Sequence, residues 1–150
     1  MNSARMPRGY RGYIGSRPIF GQRTAQHVQN LVVRDYAQSH KLLLKLSATE
    51  YTMPGCYMML LQVLGELPKL DGIIAFSLFM LPHRRERRRA VYEQILGQGK
   101  TLHFALEALQ VADFEEAARV EDIWLVKQAA EWQANAWQMP GPFERAIPER

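Results

Sequence analysis

The sequence predicts a small three-layer α/β domain with a mainly parallel four-stranded sheet, and three observations predict it. Two segments, LLLKL and GIIAF, are near-continuous apolar runs, the pattern of strands covered on both faces. Stretches with helical spacing alternate with such runs along the chain. The joints between them are short, as consecutive βαβ units require.

Four segments read as strands: Tyr10–Ile14, Leu42–Leu46, Gly72–Phe76 and Thr101–Ala105. The first helix is expected from about Thr24 to Ser39. Val28, Leu31, Val32 and Tyr36 form its inner stripe, and Arg23, His27, Asn30 and Arg34 form a polar one. A second helix opens at Pro54, a residue suited to a first turn, and runs through MMLLQVL to Leu67. The third covers His83–Leu96 and stops at Gly97 and Gly99. The last begins near Asp113, with Glu116 completing a capping box, and runs through Trp124 to about Trp137. The organisation expected is an α/β domain over residues 1–112 and a helix over 113–138, packed on that domain or on a partner subunit. A Pro- and charge-rich tail, 139–150, follows.

The 150 residues suffice for one domain with a real core. No apolar run approaches the ~20 residues of a membrane span. The opening MNSARMPRGY has no hydrophobic secretory region, so a cytoplasmic protein is expected. A single cysteine, Cys56, excludes a disulfide framework and fits a reducing compartment. With four histidines and no second cysteine, neither metal nor cofactor is expected. Cys56 has no base beside it in sequence, and Met58, Met59 and Met80 read as core filler. The net charge of +4 is local, because the run RRERRR at 84–89 accounts for it. Such a run reads as a solvated helix face, and nucleic acid is not the expected partner.

Ligands of open parallel sheets bind beyond the carboxyl ends of the strands, and polar residues gather there. Ser16, Arg17, Arg23 and His27 follow the first strand; Ser47, Thr49, Glu50 and Tyr51 follow the second. Ser77 follows the third and Glu107 the fourth. Arg17 and Arg23 beside a helix start make an anion cradle. Glu50, His27 and Glu107 are the candidates for acid–base work. Ser16, Ser47, Tyr51 and Ser77 are the candidates for binding substrate. The expectation is that these four strand ends border one pocket.

The segments RGYIGSRP, QHVQNLVVRDY, SATEYTMPGCYMML, LDGIIAFSLFMLP and LHFALE resemble the sporadic carbohydrate cluster protein family. That resemblance implies a setting in surface-polysaccharide or nucleotide-sugar biosynthesis and supplies no catalytic residues. A second resemblance is to the catalytic domain of serine recombinases, which implies a resolvase-like or flavodoxin-like fold. Tyr13, Glu50 and Pro54-Gly55 fit that family's pattern. Gly15 and Met53 stand where it has arginines, and Arg17 occupies the serine position with Ser16 one residue early. Phe79, Met80 and His83 replace a later aspartate and two arginines. Phosphodiester exchange needs those guanidinium groups around the phosphate, so recombination is not expected. A looser likeness to nucleoside deoxyribosyltransferases would place a nucleophile near Glu86 or Glu93.

The expected function is that of an enzyme of surface-polysaccharide or nucleotide-sugar biosynthesis that binds a small anionic sugar compound at the carboxyl ends of the strands. The rival readings are a non-catalytic, recombinase-like DNA-binding or regulatory protein and an accessory subunit of a glycan-synthesis enzyme. Trp124 and Trp132, eight residues apart among alanines, predict a dimer-based homo-oligomer with the last helix near its interface.

Overall fold

The computed structural model describes residues 6–19, 21–53 and 55–138. The expected helix start at Pro54, the tail 139–150 and the side chain of Trp137 lie outside the described residues. The chain forms two compact units, residues 1–117 and 118–150, and the first contains the whole sheet.

The elements run β1 (Tyr10–Gly15), α1 (Gln26–Ser39), β2 (Leu44–Glu50), α2 (Met58–Gly65), β3 (Gly72–Ala75), α3 (Arg85–Leu96), β4 (Thr101–Phe104), β5 (Leu109–Val111) and α4 (Phe114–Gln138). The sheet order is β2-β1-β3-β4-β5. The first four strands are parallel, and β5 returns antiparallel to β4. The chain leaves β1 to one side for β2 and then crosses to the other for β3. The carboxyl end between β1 and β3 is therefore the switch in strand order.

β3 reads GIIA because it lies inside the sheet with both faces covered, and all four residues are buried. Ile73 and Ile74 are wholly buried, each contributing about 2 kcal/mol of transfer free energy. Tyr13, Leu60, Leu67 and Phe104 fill the same unit. At α4 the expected cap forms: the Glu116 amide donates to Asp113 Oδ1 at 2.8 Å. The Glu116 carboxylate in turn accepts from the Ala112 amide at 3.1 Å. No helix among the described residues is long and apolar enough to cross a membrane.

Several expectations are corrected. β2 starts at Leu44 and continues to Glu50, so Ser47 and Thr49 lie within the strand and not beyond it. Its apolar LLLKL stretch is only partly strand, because an edge strand has one neighbour and leaves its amino half exposed. α2 begins at Met58. The inner stripe of α1 is Gln29, Val33, Tyr36 and Ala37, while Val28 and Leu31 are exposed. The helix is rotated by about one residue, 100°, because the buried carboxamide of Gln29 is needed at the end of β1. β5 had no counterpart in the expected elements; three residues, LQV, are too few to show a period.

Candidate functional site

Glu50 is the last residue of β2 and is 1% exposed. A buried carboxylate needs compensation, and this one has four donors. Tyr13 Oη donates to Oε2 at 2.8 Å and the Leu60 amide to Oε2 at 3.1 Å. The Tyr51 and Met59 amides donate to Oε1, both at 3.2 Å. Met59 and Leu60 sit in the first turn of α2, where amides lack helical partners. Glu50 thus ties the end of β2 to the start of α2, with its lone pairs occupied by fixed donors. Burial, and next the Glu50 carboxylate, raise the Tyr13 hydroxyl far above the ordinary phenol range, so it stays protonated and donates.

Arg17 follows β1 on the same side. Its guanidinium lies over the Tyr57 ring, 4.4 Å from the centroid. Its charge also reaches the Tyr13 hydroxyl and pulls that pKa down, against the larger effects that raise it. Arg17 Nη2 is buried with no hydrogen-bond acceptor among the described residues. Ser16 Oγ lies 2.6 Å from Thr52 Oγ1, joining the loops after β1 and β2. Beneath them the Gln29 carboxamide satisfies both backbone groups of Gly15: Oε1 accepts from its amide at 3.0 Å, and Nε2 donates to its carbonyl. Nε2 also donates to the Thr24 carbonyl at 2.8 Å.

Ser77 and Glu107 form a separate cluster at the ends of β3 and β4. Ser77 Oγ donates to Glu107 Oε2 at 3.0 Å, and the Leu78 amide donates to Oε1. The Phe79 amide donates to Ser77 Oγ at 3.2 Å. Glu107 sits in the turn between β4 and β5, so the hairpin carries its carboxylate to the loop after β3. Burial raises the Glu107 carboxyl above the usual range, and its hydrogen bonds partly offset that.

The structure therefore places Arg17 by Tyr13 and Tyr57, pairs Ser16 with Thr52, and pairs Ser77 with Glu107. All lie at or beyond the carboxyl halves of parallel strands. Arg23, His27 and Tyr51 are exposed. Ser47 belongs elsewhere, packed on Gly12 halfway along the edge strand β2. Neither of the two cavities described among these residues is lined by Ser16, Glu50, Ser77 or Glu107. Tyr57, Thr52 and Gln29 were not foreseen. Gln29 alone left a trace, as a polar residue four before Val33 on a helical stripe.

A second buried network lies at the amino ends of the strands. Tyr36 Oη is 2.7 Å from His103 Nδ1, and Thr101 Oγ1 is 3.0 Å from His103 Nε2. Tyr10 Oη in turn meets Thr101 Oγ1 at 2.8 Å. Burial, and next the neighbouring His40, lower the His103 pKa to about 4.

Sheet order, crossovers and helices define an α/β domain of the resolvase-like kind. In fold the chain is similar to the N-terminal catalytic domain of the TP901-1 integrase, with a TM-score of 0.54 and 11% identity. That match covers 83% of this chain and 98% of the integrase domain. No family model and no curated protein matches the chain.

Proposed function

We propose that the chain binds a small anionic compound, of the phosphorylated-sugar class, at the carboxyl end of β1, with Arg17 as the anchoring cation. One observation carries the reading: a guanidinium held over the Tyr57 ring keeps a buried Nη2 with no acceptor among the described residues. A fixed, partly desolvated fork of N–H donors suits phosphate or carboxylate oxygens. The sugar moiety rests only on the likeness of several segments to the carbohydrate cluster family. In this reading Glu50 is a positioning residue that holds α2 against Tyr13. Proton transfer, if the ligand is turned over, falls to Glu107 or to the exposed His27. Ser16, Arg23, Tyr51 and Ser77 remain candidates for contacts with the rest of the ligand.

Calorimetric titration with inorganic phosphate, a hexose phosphate and a DNA duplex tests the proposal. The hexose phosphate is expected to bind, and Arg17→Met to weaken it by about tenfold or more. Equal binding by the variant, or none by the natural chain, overturns it. Tight duplex binding at physiological salt favours the recombinase-like reading through the exposed Arg85, Arg87 and Arg89. Arg88 is not part of that surface: it is buried and donates to the Pro82 and His83 carbonyls at 3.2 and 2.7 Å.

We further propose a dimer-based assembly through α4, argued at the scale of the whole molecule below.

A further inference from the structure

The edge of the sheet carries a feature that the carboxyl-end site does not use. Among the described residues β2 pairs with β1 alone, so its outer row of backbone groups has no strand beside it. Leucines lie exposed along it, Leu43 at 50% and Leu46 at 83%. A groove of about 1050 Å3 borders the strand. Among the described residues lining it, four cations, Arg11, Arg34, Lys45 and Lys69, stand against one carboxylate, Glu66. That carboxylate is already engaged, since Arg11 Nη1 reaches both its oxygens at 2.8 Å. Arg34, Lys45 and Lys69 are exposed and set the sign of the groove. Leu44, Leu46 and Leu70 give it an apolar lining.

We propose that this edge docks an extended acidic segment of a partner protein, which adds a strand to β2 and sets its carboxylates against Arg34, Lys45 and Lys69. Unpaired strand edges offer a ladder of donors and acceptors that another extended peptide backbone matches. Nucleic acid has phosphates for the cations but no ladder for the edge and no side chains for the leucines. A second copy of this chain is disfavoured by charge. Pairing β2 with itself about a two-fold axis brings the lysines and arginines of both copies together, and like charges across strands destabilise. An acidic strand with alternating apolar residues meets both features: its carboxylates face the cations, and its other face covers the leucines.

The probe is a capped peptide of alternating Glu and Val, about eight residues long to span the strand, titrated into the nitrogen-15-labelled chain. Amides of Leu44–Glu50 are expected to shift, with an affinity that falls as salt rises. Lys45→Glu with Lys69→Glu, both at exposed positions, is expected to weaken binding by about tenfold. The Lys-Val counterpart, and a Glu-Val peptide interrupted by proline, are expected not to bind, the latter because it cannot pair. Four results overturn the proposal: no shifts at millimolar peptide, shifts away from β2, equal binding of the Lys-Val peptide, or full affinity in the charge-reversed variant. Self-association through β2, or an oligonucleotide that binds the same amides more tightly than the peptide, also overturns it.

Discussion

At the scale of single residues, two buried polar groups are held by partners within the fold. Glu50 is a carboxylate whose four donors all belong to fixed structure, so its removal strands them. Glu50→Ala is expected to cost about 2–4 kcal/mol of stability, and Glu50→Gln less, because an acceptor remains. Chemical denaturation decides; an Ala variant as stable as the natural chain contradicts the capping role. His103 is a buried base kept neutral. Its folded pKa of about 4 lies below the ordinary 6.5. Between these values the unfolded chain binds a proton that the folded chain refuses. The contribution is therefore full above pH 6.5 and is lost as pH falls toward 4, about 2–3 kcal/mol in all. Glu107, a raised carboxyl, works in the other direction, so the informative quantity is a difference between variants. Unfolding free energies of the natural chain and of His103→Gln, measured from pH 7 to 4.5, are expected to converge as pH falls. Parallel curves contradict the assignment.

At the scale of elements, β1 and β2 are matched by a glycine and a serine. A Cβ on Gly12 would lie 2.2 Å from Ser47 Oγ and 3.0 Å from Ser47 Cβ. The crowding sits beside an irregularity in the pairing, where the register shifts between Tyr10 and Gly12. There Arg11 Nε donates to the Leu46 carbonyl at 2.7 Å, supplying a hydrogen bond from its side chain. Gly12→Ala is expected to destabilise by about 1–3 kcal/mol, and Ser47→Gly in the same chain to recover much of that. Additive losses in the double variant, measured by denaturation, refute the contact. The same pair shows why β2 was misjudged from sequence. LLLKL carried the apolar signal, yet the strand extends into polar SATE, where Ser47 covers a glycine and Glu50 caps a helix. Apolar periodicity finds strands through burial, and half of this strand is an exposed edge. GIIAF was legible because β3 is covered on both sides, and the capping of α4 because Asp113 and Glu116 act locally.

At the scale of the molecule, the order β2-β1-β3-β4-β5 is not written in any one segment. It follows from which strand pairs with which, and the short joints fixed only that the first four run parallel. The candidate site shares that limit. The sequence placed polar groups after strand ends, but not that Glu50 and Glu107 would each turn inward to satisfy amides, nor that Arg17 would keep a donor unmet among the described residues. The tryptophans of α4 teach the same lesson about angle. Eight residues advance a helix by two turns and about 80°, so Trp124 and Trp132 do not share one side: Trp124 is buried and Trp132 is 71% exposed. The exposed stripe is instead Leu125, Ala129 and Trp132, spaced four and three apart. Val126 lies exposed beside it. A large aromatic with a leucine and a small neighbour suits close packing against a second helix. A dimer is expected in sedimentation equilibrium at about tens of micromolar protein. Trp132→Ala is the decisive variant, because Trp124→Ala empties a buried position and confuses folding with assembly. Trp132→Ala is expected to raise the dimer dissociation constant by about tenfold or more while leaving the thermal transition of the monomer in place. A monomeric mass for the natural chain ends the proposal, and a Trp132→Ala chain that still dimerises fully moves the interface off this helix.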